Sequence, residues 1–160
     1  MYTLGIDIGS SATKAVVLQE GICVISQSLI PAGTGTKGPE HALAAVFEST
    51  RVGKEDIAWT VATGYGRMIF PGANRQVSEI TCHARGVAAQ VPGAATIIDI
   101  GGQDIKVIRL DSQGSVENFV MNDKCAAGTG RFLEVMARVL GIEISEMADL
   151  SENSKRIVPI

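Results

Sequence analysis

The sequence predicts an α/β protein built from two similar lobes. Three strand-like runs rich in Val, Ile, Leu and Thr come first, at 2–8, 13–19 and 22–30, separated by short turns. This pattern is typical of an antiparallel meander. Helical spacing follows it, and the same order of elements returns from residue 95 onward. The return of the pattern predicts a second copy of the first unit.

Two twelve-residue stretches make the repeat visible. DIGSSATKAVVL (7–18) aligns without a gap over DIGGQDIKVIRL (99–110), and the two match at Asp, Ile, Gly, Lys and Leu. Two copies of one strand–turn–strand device favour lobes that face each other across a cleft. We place the first lobe at 1–93 and the start of the second at 94–160.

The remaining elements follow from apolar spacing and from breakers. Helices are predicted within 41–50 and over 77–91, where Pro92 ends the second, and a strand is predicted at 57–63. In the second copy, strands are predicted at 95–100, 104–110 and 115–121. A last helix is expected from about Ala126 to Leu140.

Composition narrows the class of protein. The chain has 160 residues, 46% of them hydrophobic, and a formal charge of −3 without a basic stripe, so nucleic acid and anionic membrane surfaces are not expected partners. The start lacks the pattern of a signal peptide, which favours a cytoplasmic protein. Cys23, Cys82 and Cys125 lie far apart, and no paired histidines accompany them. Neither a disulfide framework nor a zinc site is expected.

The repeated Asp-Ile-Gly turns predict phosphate binding. A strand that turns straight into another strand exposes backbone N–H groups, and glycine lets an anion approach them. Candidate phosphate-binding residues are Gly9, Ser10, Ser11 and Thr13 in the first copy, and Gly101, Gly102 and Gln103 in the second. A simple hairpin turn is the alternative for either copy, and the repeat makes it less favoured.

Charged residues accompany both turns. Asp7 and Asp99 end their strands, where they would hold a hydrated Mg²⁺, since this ion keeps most of its waters and takes few protein ligands. Two anion-binding turns and a metal together imply a polyphosphate. Lys14 and Lys106 occupy equivalent positions, and each is either a phosphate ligand or a solvated strand lysine.

A literal G-x-G-x-x-G at 33–38 raises a different possibility. In a dinucleotide-binding fold this motif joins a strand to a helix within a parallel βαβ unit. Here a meander precedes it and Pro31 lies just before it. A flexible loop that leads into a helix is therefore the favoured interpretation.

Cys125 precedes the last predicted helix. If the helix begins near Ala126, Cys125 is its N-cap, where a thiolate or a bound anionic iron–sulfur cluster is stabilised. Gly128 and Gly130 are poor helix formers, which suggests close approach by a nucleotide or another chain. A small buried hydrophobic residue is the alternative for Cys125. One cysteine cannot bind a cluster alone, because four thiolates are usual.

Five stretches together resemble one family. They are TLGIDIGSSATK, GTGTKGP, ATGYGR, TIIDIGGQDIKVI and NDKCAAGTGRFLEVMA. They resemble the ATP-dependent activators of 2-hydroxyacyl-CoA dehydratases and the related ATPase subunits of benzoyl-CoA reductase. The last stretch is the most specific, since sugar kinases, actin and Hsp70-type chaperones share the Asp-Ile-Gly turns in looser form.

The resemblance implies an actin-like, ribonuclease-H-like ATPase fold of the ASKHA superfamily. It also implies a homodimer that shares one [4Fe–4S] cluster and binds ATP/ADP with Mg²⁺. In such proteins ATP hydrolysis drives one low-potential electron from ferredoxin or flavodoxin to the dehydratase.

The resemblance also assigns roles to residues of this chain. Catalytic roles fall to Asp7, Asp99 and Gln103, and a cluster ligand to Cys125. The phosphate motifs include Asp7, Gly9, Ser10, Ser11 and Thr13, and then Asp99, Gly101, Gly102, Gln103 and Asp104. The family's second cluster cysteine and its adenosine-binding glycines belong to a segment beyond residue 160, so we expect a truncated chain with an incomplete second lobe.

Two other function classes stay open from the residues. A small-molecule kinase of the same superfamily would need a carboxylate near the γ-phosphate, and Asp104 is a candidate. An actin-like scaffold would bind nucleotide without turnover.

Overall fold

The computed structural model describes residues 1–122 and 129–156. The chain divides into two compact units, one of residues 1–97 with 108–119 and the other of 98–107 with 120–160. The predicted lobe boundary at residue 93 stays a prediction.

The first unit contains a five-stranded sheet with the order β3-β2-β1-β4-β5. Its strands are β1 (Tyr2–Ile8), β2 (Thr13–Gln19), β3 (Cys23–Ile30), β4 (Ile57–Thr63) and β5 (Arg75–Gln76). The first three form the predicted antiparallel meander, and β4 lies parallel to β1. The β2–β3 turn has positive φ at Glu20 and Gly21, and Ile22 N–H closes it onto the Gln19 carbonyl. Two central residues with positive φ suit the twist of adjoining strands.

The sheet packs against α1 (Gly38–Glu48). Alternate residues of the strands point into this core, as period-two patterning requires, and the buried members include Leu4, Ile6 and Val17. Ser26 and Ser28 of β3 donate hydrogen bonds to α1 carbonyls at 2.6 and 2.8 Å. The helix begins earlier than predicted because proline is tolerated in a first turn.

A second helix and a second sheet complete the predicted order. The helix α2 (Glu79–Gln90) begins after Ser78, whose hydroxyl oxygen accepts the Thr81 N–H at 3.3 Å. The three strands β6 (Thr96–Ile100), β7 (Ile105–Leu110) and β8 (Val116–Asn122) are neighbours in sequence order. They lie within one or two residues of their predicted bounds.

The last predicted helix begins later than expected. The structure has α3 at Gly130–Leu140, followed by the short helix α4 (Met147–Glu152). Thr129 is the N-cap of α3, and its hydroxyl oxygen accepts the Phe132 N–H at 3.4 Å. The predicted start near Ala126 is therefore wrong for α3, and Cys125, its predicted N-cap, lies outside the described residues. A threonine hydroxyl accepts N–H bonds well at an N-cap, which favours a helix start after Thr129.

Candidate functional site

The first hairpin, residues 7–14, joins β1 to β2 through a closed turn. Gly9 N–H donates to the Ala12 carbonyl oxygen at 3.0 Å. Asp7 and Lys14 are directly opposite in the β1–β2 ladder, and Lys14 Nζ lies 2.9 Å from Asp7 Oδ2. The pair is partly open to solvent, with 49% of the lysine side chain exposed.

Two loops pack against the outer side of this hairpin. Thr34 N–H donates to the Gly9 carbonyl at 2.8 Å, and Gly66 N–H donates to the Ile8 carbonyl at 2.8 Å. Gly64 has φ +82°, and a Cβ there would collide with Asp7 Oδ1 and the Ile8 carbonyl. The carbonyl groups of Ile8 and Gly9 are therefore occupied by neighbouring loops.

The backbone N–H groups of this turn differ from its carbonyl groups in their hydrogen bonding. Among the described residues, no hydrogen bond engages the backbone N–H of Ser10, Ser11 or Ala12. The Ser11 side chain is exposed. Consecutive N–H groups without protein acceptors at an exposed turn are the elements of an anion-binding concavity.

The second hairpin, residues 99–106, repeats this arrangement. Gly101 N–H donates to the Asp104 carbonyl at 2.8 Å, as Gly9 does to Ala12. The Gly101 carbonyl accepts the Gly130 N–H at 2.9 Å, and the Gly102 carbonyl accepts the Arg131 N–H at 3.2 Å. Within the described part of the chain, the N–H groups of Gly102 and Gln103 have no acceptor. Both hairpins thus bind their glycine carbonyl to a neighbouring segment and leave turn N–H groups available.

Gly130 has a local explanation in this arrangement. A Cβ at this position would lie 3.3 Å from the Gly101 carbonyl oxygen, which is closer than most Cβ contacts. The absence of a side chain lets the start of α3 approach the second hairpin. Approach by a nucleotide or by another chain is not needed to explain this glycine. Gly128 and Cys125 lie outside the described residues.

Two residues that were predicted to bind phosphate are buried under their hairpins. Thr13 is fully buried, and its hydroxyl donates to the Ala32 carbonyl at 2.8 Å. Asp104 is also buried, and its Oδ1 lies 2.5 Å from Lys106 Nζ. Gln103, by contrast, is exposed at the tip of the second hairpin. Thr13 and Asp104 therefore support their hairpins from the interior, while Gln103 is open to solvent.

Asp7 and Asp99 are placed as strand-end carboxylates. The side chains are 26% and 25% exposed, respectively. Asp99 Oδ2 lies 3.5 Å from Lys106 Nζ, so each aspartate pairs with the lysine seven positions later. The equivalence of Lys14 and Lys106, predicted from the repeat, therefore extends to their partners.

Sequence reasoning missed the supporting loops. The segment 33–38 was interpreted as flexible, but a Cβ at Gly33 would collide with the carbonyls of Gly9 and Ser10. Gly64 and Gly66 meet the other side of the same turn. The sequence signal for these loops was the closely spaced glycines in GTGTKG and GYG. These glycines indicate a close backbone approach, but they do not identify the segment that is approached. The strands before 33–38 form the antiparallel β1–β2–β3 meander, whereas a dinucleotide-binding βαβ unit has parallel strands. The G-x-G-x-x-G at 33–38 is therefore not a dinucleotide-binding motif of that kind.

The described residues contain no group of three or more His, Cys, Asp or Glu side chains that could hold a metal ion. Cys23 is exposed in β3, and Cys82 is partly buried in α2. No helix in 1–122 or 129–156 has the length and apolar character needed to cross a membrane.

Comparison with known proteins decides the family. The model of the BadF/BadG/BcrA/BcrD ATPase family matches residues 4–158. The chain belongs to this family. It is 57% identical over 160 residues to the activator of lactoyl-CoA dehydratase from Anaerotignum propionicum. The aligned region covers 100% of this chain and 62% of that relative. The chain therefore corresponds to less than two thirds of the length of such family members.

Solved structures agree with the family assignment. The activator of the 2-hydroxyisocaproyl-CoA dehydratase from Clostridium difficile, with bound ADPNP, superposes with a TM-score of 0.92 at 51% identity. The match covers 100% of this chain and 60% of that one. The ROK hexokinase from Thermus thermophilus gives a TM-score of 0.56 at 13% identity, covering 97% of this chain and 70% of that one. This second likeness shows the fold alone; together with the activator structure it confirms the predicted actin-like fold.

Proposed function

We propose that the protein is an ATP-dependent activator of a 2-hydroxyacyl-CoA dehydratase or a related acyl-CoA reductase. In this function, ATP hydrolysis is coupled to delivery of one low-potential electron to the partner enzyme. The supporting observation is the pair of equivalent hairpins, each with occupied glycine carbonyls and available turn N–H groups. The partner enzyme in the proposal is taken from similar proteins, which are activators of 2-hydroxyacyl-CoA dehydratases.

Phosphate binding is proposed for the tips of the hairpins. In the first, the ligands are the backbone N–H groups and the hydroxyls of Ser10 and Ser11, and Gly9 lets the phosphate approach them. In the second, the ligands are the backbone N–H groups of Gly102 and Gln103 and the Gln103 side chain, and Gly101 lets the phosphate approach them. Lys14, with an exposed ammonium 2.9 Å from Asp7, can turn toward a phosphate without leaving a buried carboxylate unpaired.

The carboxylates fit Mg²⁺. This ion is held through one or two carboxylates plus waters and phosphate oxygens, so no cluster of protein ligands is required. Asp7 and Asp99 each present a partly exposed carboxylate at a strand end next to a predicted phosphate turn. When bound, Mg²⁺ would neutralise charge that develops on the phosphates. The two aspartates would orient its water ligands.

A [4Fe–4S] cluster shared by a homodimer is part of the proposal. The family resemblance assigns Cys125 as its ligand, and this residue lies outside those that the structure describes. Cys23 and Cys82 belong to the first unit and do not match the family's ligand. One cysteine from each of two copies gives two thiolates, whereas four are usual. We derive no step through the cluster from the described residues.

The partners proposed are a second copy of the chain, the dehydratase, and ferredoxin or flavodoxin as electron donor. A cytoplasmic location is proposed with them, because these partners and the reduced cluster belong to a reducing compartment.

A small-molecule kinase is a weaker alternative. Its need for a free catalytic carboxylate is poorly met by Asp104, which is buried and paired with Lys106. An actin-like scaffold would also bind nucleotide through the hairpins.

Reconstitution tests the proposal. Under anaerobic conditions, the protein, ATP and a low-potential reductant are added to an inactive 2-hydroxyacyl-CoA dehydratase, and dehydration is measured. We expect activity with ATP and none with ADPNP. ATP-dependent phosphorylation of a sugar would instead support the kinase, and nucleotide-dependent filaments without dehydratase activation would support the scaffold.

A further inference from the structure

The two hairpins differ in the setting of their lysines. Lys14 and Lys106 each follow an aspartate by seven positions. The Lys14 side chain is 49% exposed, whereas that of Lys106 is only 5% exposed. An ammonium taken out of water must be paired and hydrogen-bonded, because its lost hydration is expensive. Lys106 therefore needs a stronger anchor than its counterpart.

Asp104 supplies that anchor. It occupies the position equivalent to Ala12, and both residues accept a glycine N–H through their carbonyl oxygens. The Asp104 side chain is 7% exposed, and its Oδ1 lies 2.5 Å from Lys106 Nζ. The second hairpin thus has an aspartate where the first has Ala12, and its lysine is buried where that of the first is exposed.

Gly101 makes room for this buried pair. A Cβ at Gly101 would lie 2.6 Å from Asp104 Oδ1, whereas a Cβ at Gly9 would lie 2.9 Å from a backbone oxygen. A side chain at position 101 would therefore displace the carboxylate that anchors Lys106. The second glycine turn serves an internal ion pair as well as any phosphate.

The buried pair also reaches the exposed aspartate. Lys106 Nζ lies 3.5 Å from Asp99 Oδ2, a longer contact than the one it makes with Asp104. Because Asp104 holds the ammonium from the interior, the ammonium is fixed in place beneath Asp99. A fixed cation restricts the rotation of the carboxylate above it.

We propose that Lys106 is a positioning residue: anchored by Asp104, it fixes the direction of the Asp99 carboxylate and so sets how the second hairpin binds the Mg²⁺ of a nucleotide. This inference rests on the proposed function for its nucleotide part only. Residues that orient a metal-binding group from behind commonly change metal affinity by about 10-fold or more when they are replaced.

The decisive variant is the double substitution Asp104→Asn with Lys106→Met. Removing both charges of the closest pair avoids an uncompensated buried charge, so the chain is expected to fold. Lys106→Arg keeps a cation and serves as the conservative rescue. The double substitution Glu152→Gln with Lys155→Met, at two exposed residues, controls for the loss of one charge of each sign.

Two measurements on these proteins test the proposal. The first is the set of three-bond NMR couplings that report χ1 of Asp99 without nucleotide. We expect one rotamer in the wild type and in Lys106→Arg, and averaging in the double variant. The second is the affinity for ADPNP by calorimetry with Mg²⁺ and with EDTA. We expect a loss of about 10-fold with Mg²⁺ in the double variant and unchanged affinity in EDTA.

A single Asp99 rotamer in the double variant would overturn the positioning role. So would an affinity for Mg²⁺ and ADPNP equal to that of the wild type. Failure of the wild type to bind ADPNP under either condition would count against the proposed function instead. In that case the NMR couplings still decide whether Lys106 positions Asp99.

Discussion

The backbone N–H of Gly130 donates to the carbonyl oxygen of Gly101 at 2.9 Å. This bond ties the start of α3 to the second hairpin. In the first hairpin, the equivalent glycine carbonyl accepts an N–H from the loop at 33–38. Different elements, one a helix and the other a loop, thus satisfy the same carbonyl position. Among the described residues, Ser10, Ser11, Gly102 and Gln103 have backbone N–H groups without an acceptor.

The N-cap of α3 gives a first prediction. Thr129→Val keeps the shape of the buried side chain but removes the oxygen that accepts the Phe132 N–H. We expect a loss of about 1 kcal/mol in the free energy of unfolding, typical of a lost cap. Urea denaturation measures it. Stability equal to that of the wild type would mean that Thr129 does not cap the helix.

Gly64 gives a second prediction, with Gly21 as its control. Both have positive φ, at +82° and +73°, but a Cβ at Gly21 would meet nothing within 4 Å. Gly21→Ala should cost about 1–2 kcal/mol from backbone strain alone.

Gly64→Ala should cost more, because its Cβ would also collide with Asp7 Oδ1 and the Ile8 carbonyl. Its affinity for ADPNP should fall as well, since the first hairpin must move. Thermal unfolding and calorimetry measure the two effects. Equal losses of stability for the two variants would show that Gly64 is not in close contact with the first hairpin.

The two lysines give a third prediction. Lys14→Met removes one partner of a half-exposed ion pair and should change the free energy of unfolding by less than about 1 kcal/mol. Lys106→Met leaves the Asp104 carboxylate buried without its closest cation and should cost about 3–5 kcal/mol. Denaturant titration of both variants measures the difference. Similar costs would contradict the burial that distinguishes the two hairpins.

The cysteines give a fourth prediction, which follows from the proposed function. Cys125→Ser should abolish bound iron after anaerobic purification while ADPNP still binds. Cys23→Ser is the matched control, since Cys23 is exposed at the start of β3 and should not affect iron content. Iron and sulfide assays measure the result. Retention of iron by Cys125→Ser would remove this residue from the proposed ligands.

The sequence by itself determined the elements and the repeat. Period-two alternation in β1 and β2 reflects a sheet with one buried face, and this pattern is local enough to be predicted. The Asp and Lys pair at a spacing of seven was visible in both copies. The predicted strands and α2 lie close to their observed bounds for the same reason.

Only the tertiary structure decided which residues of each hairpin are buried and which are exposed. Thr13 and Ser11 look alike in sequence, yet the hydroxyl of Thr13 is buried on the Ala32 carbonyl while Ser11 is exposed. Likewise, the sequence shows Asp104 where the first copy has Ala12, but only the structure shows that Asp104 and Lys106 are buried together. The burial of Thr13 depends on a contact with Ala32, 19 residues away, and periodicity within a single element does not encode such a contact.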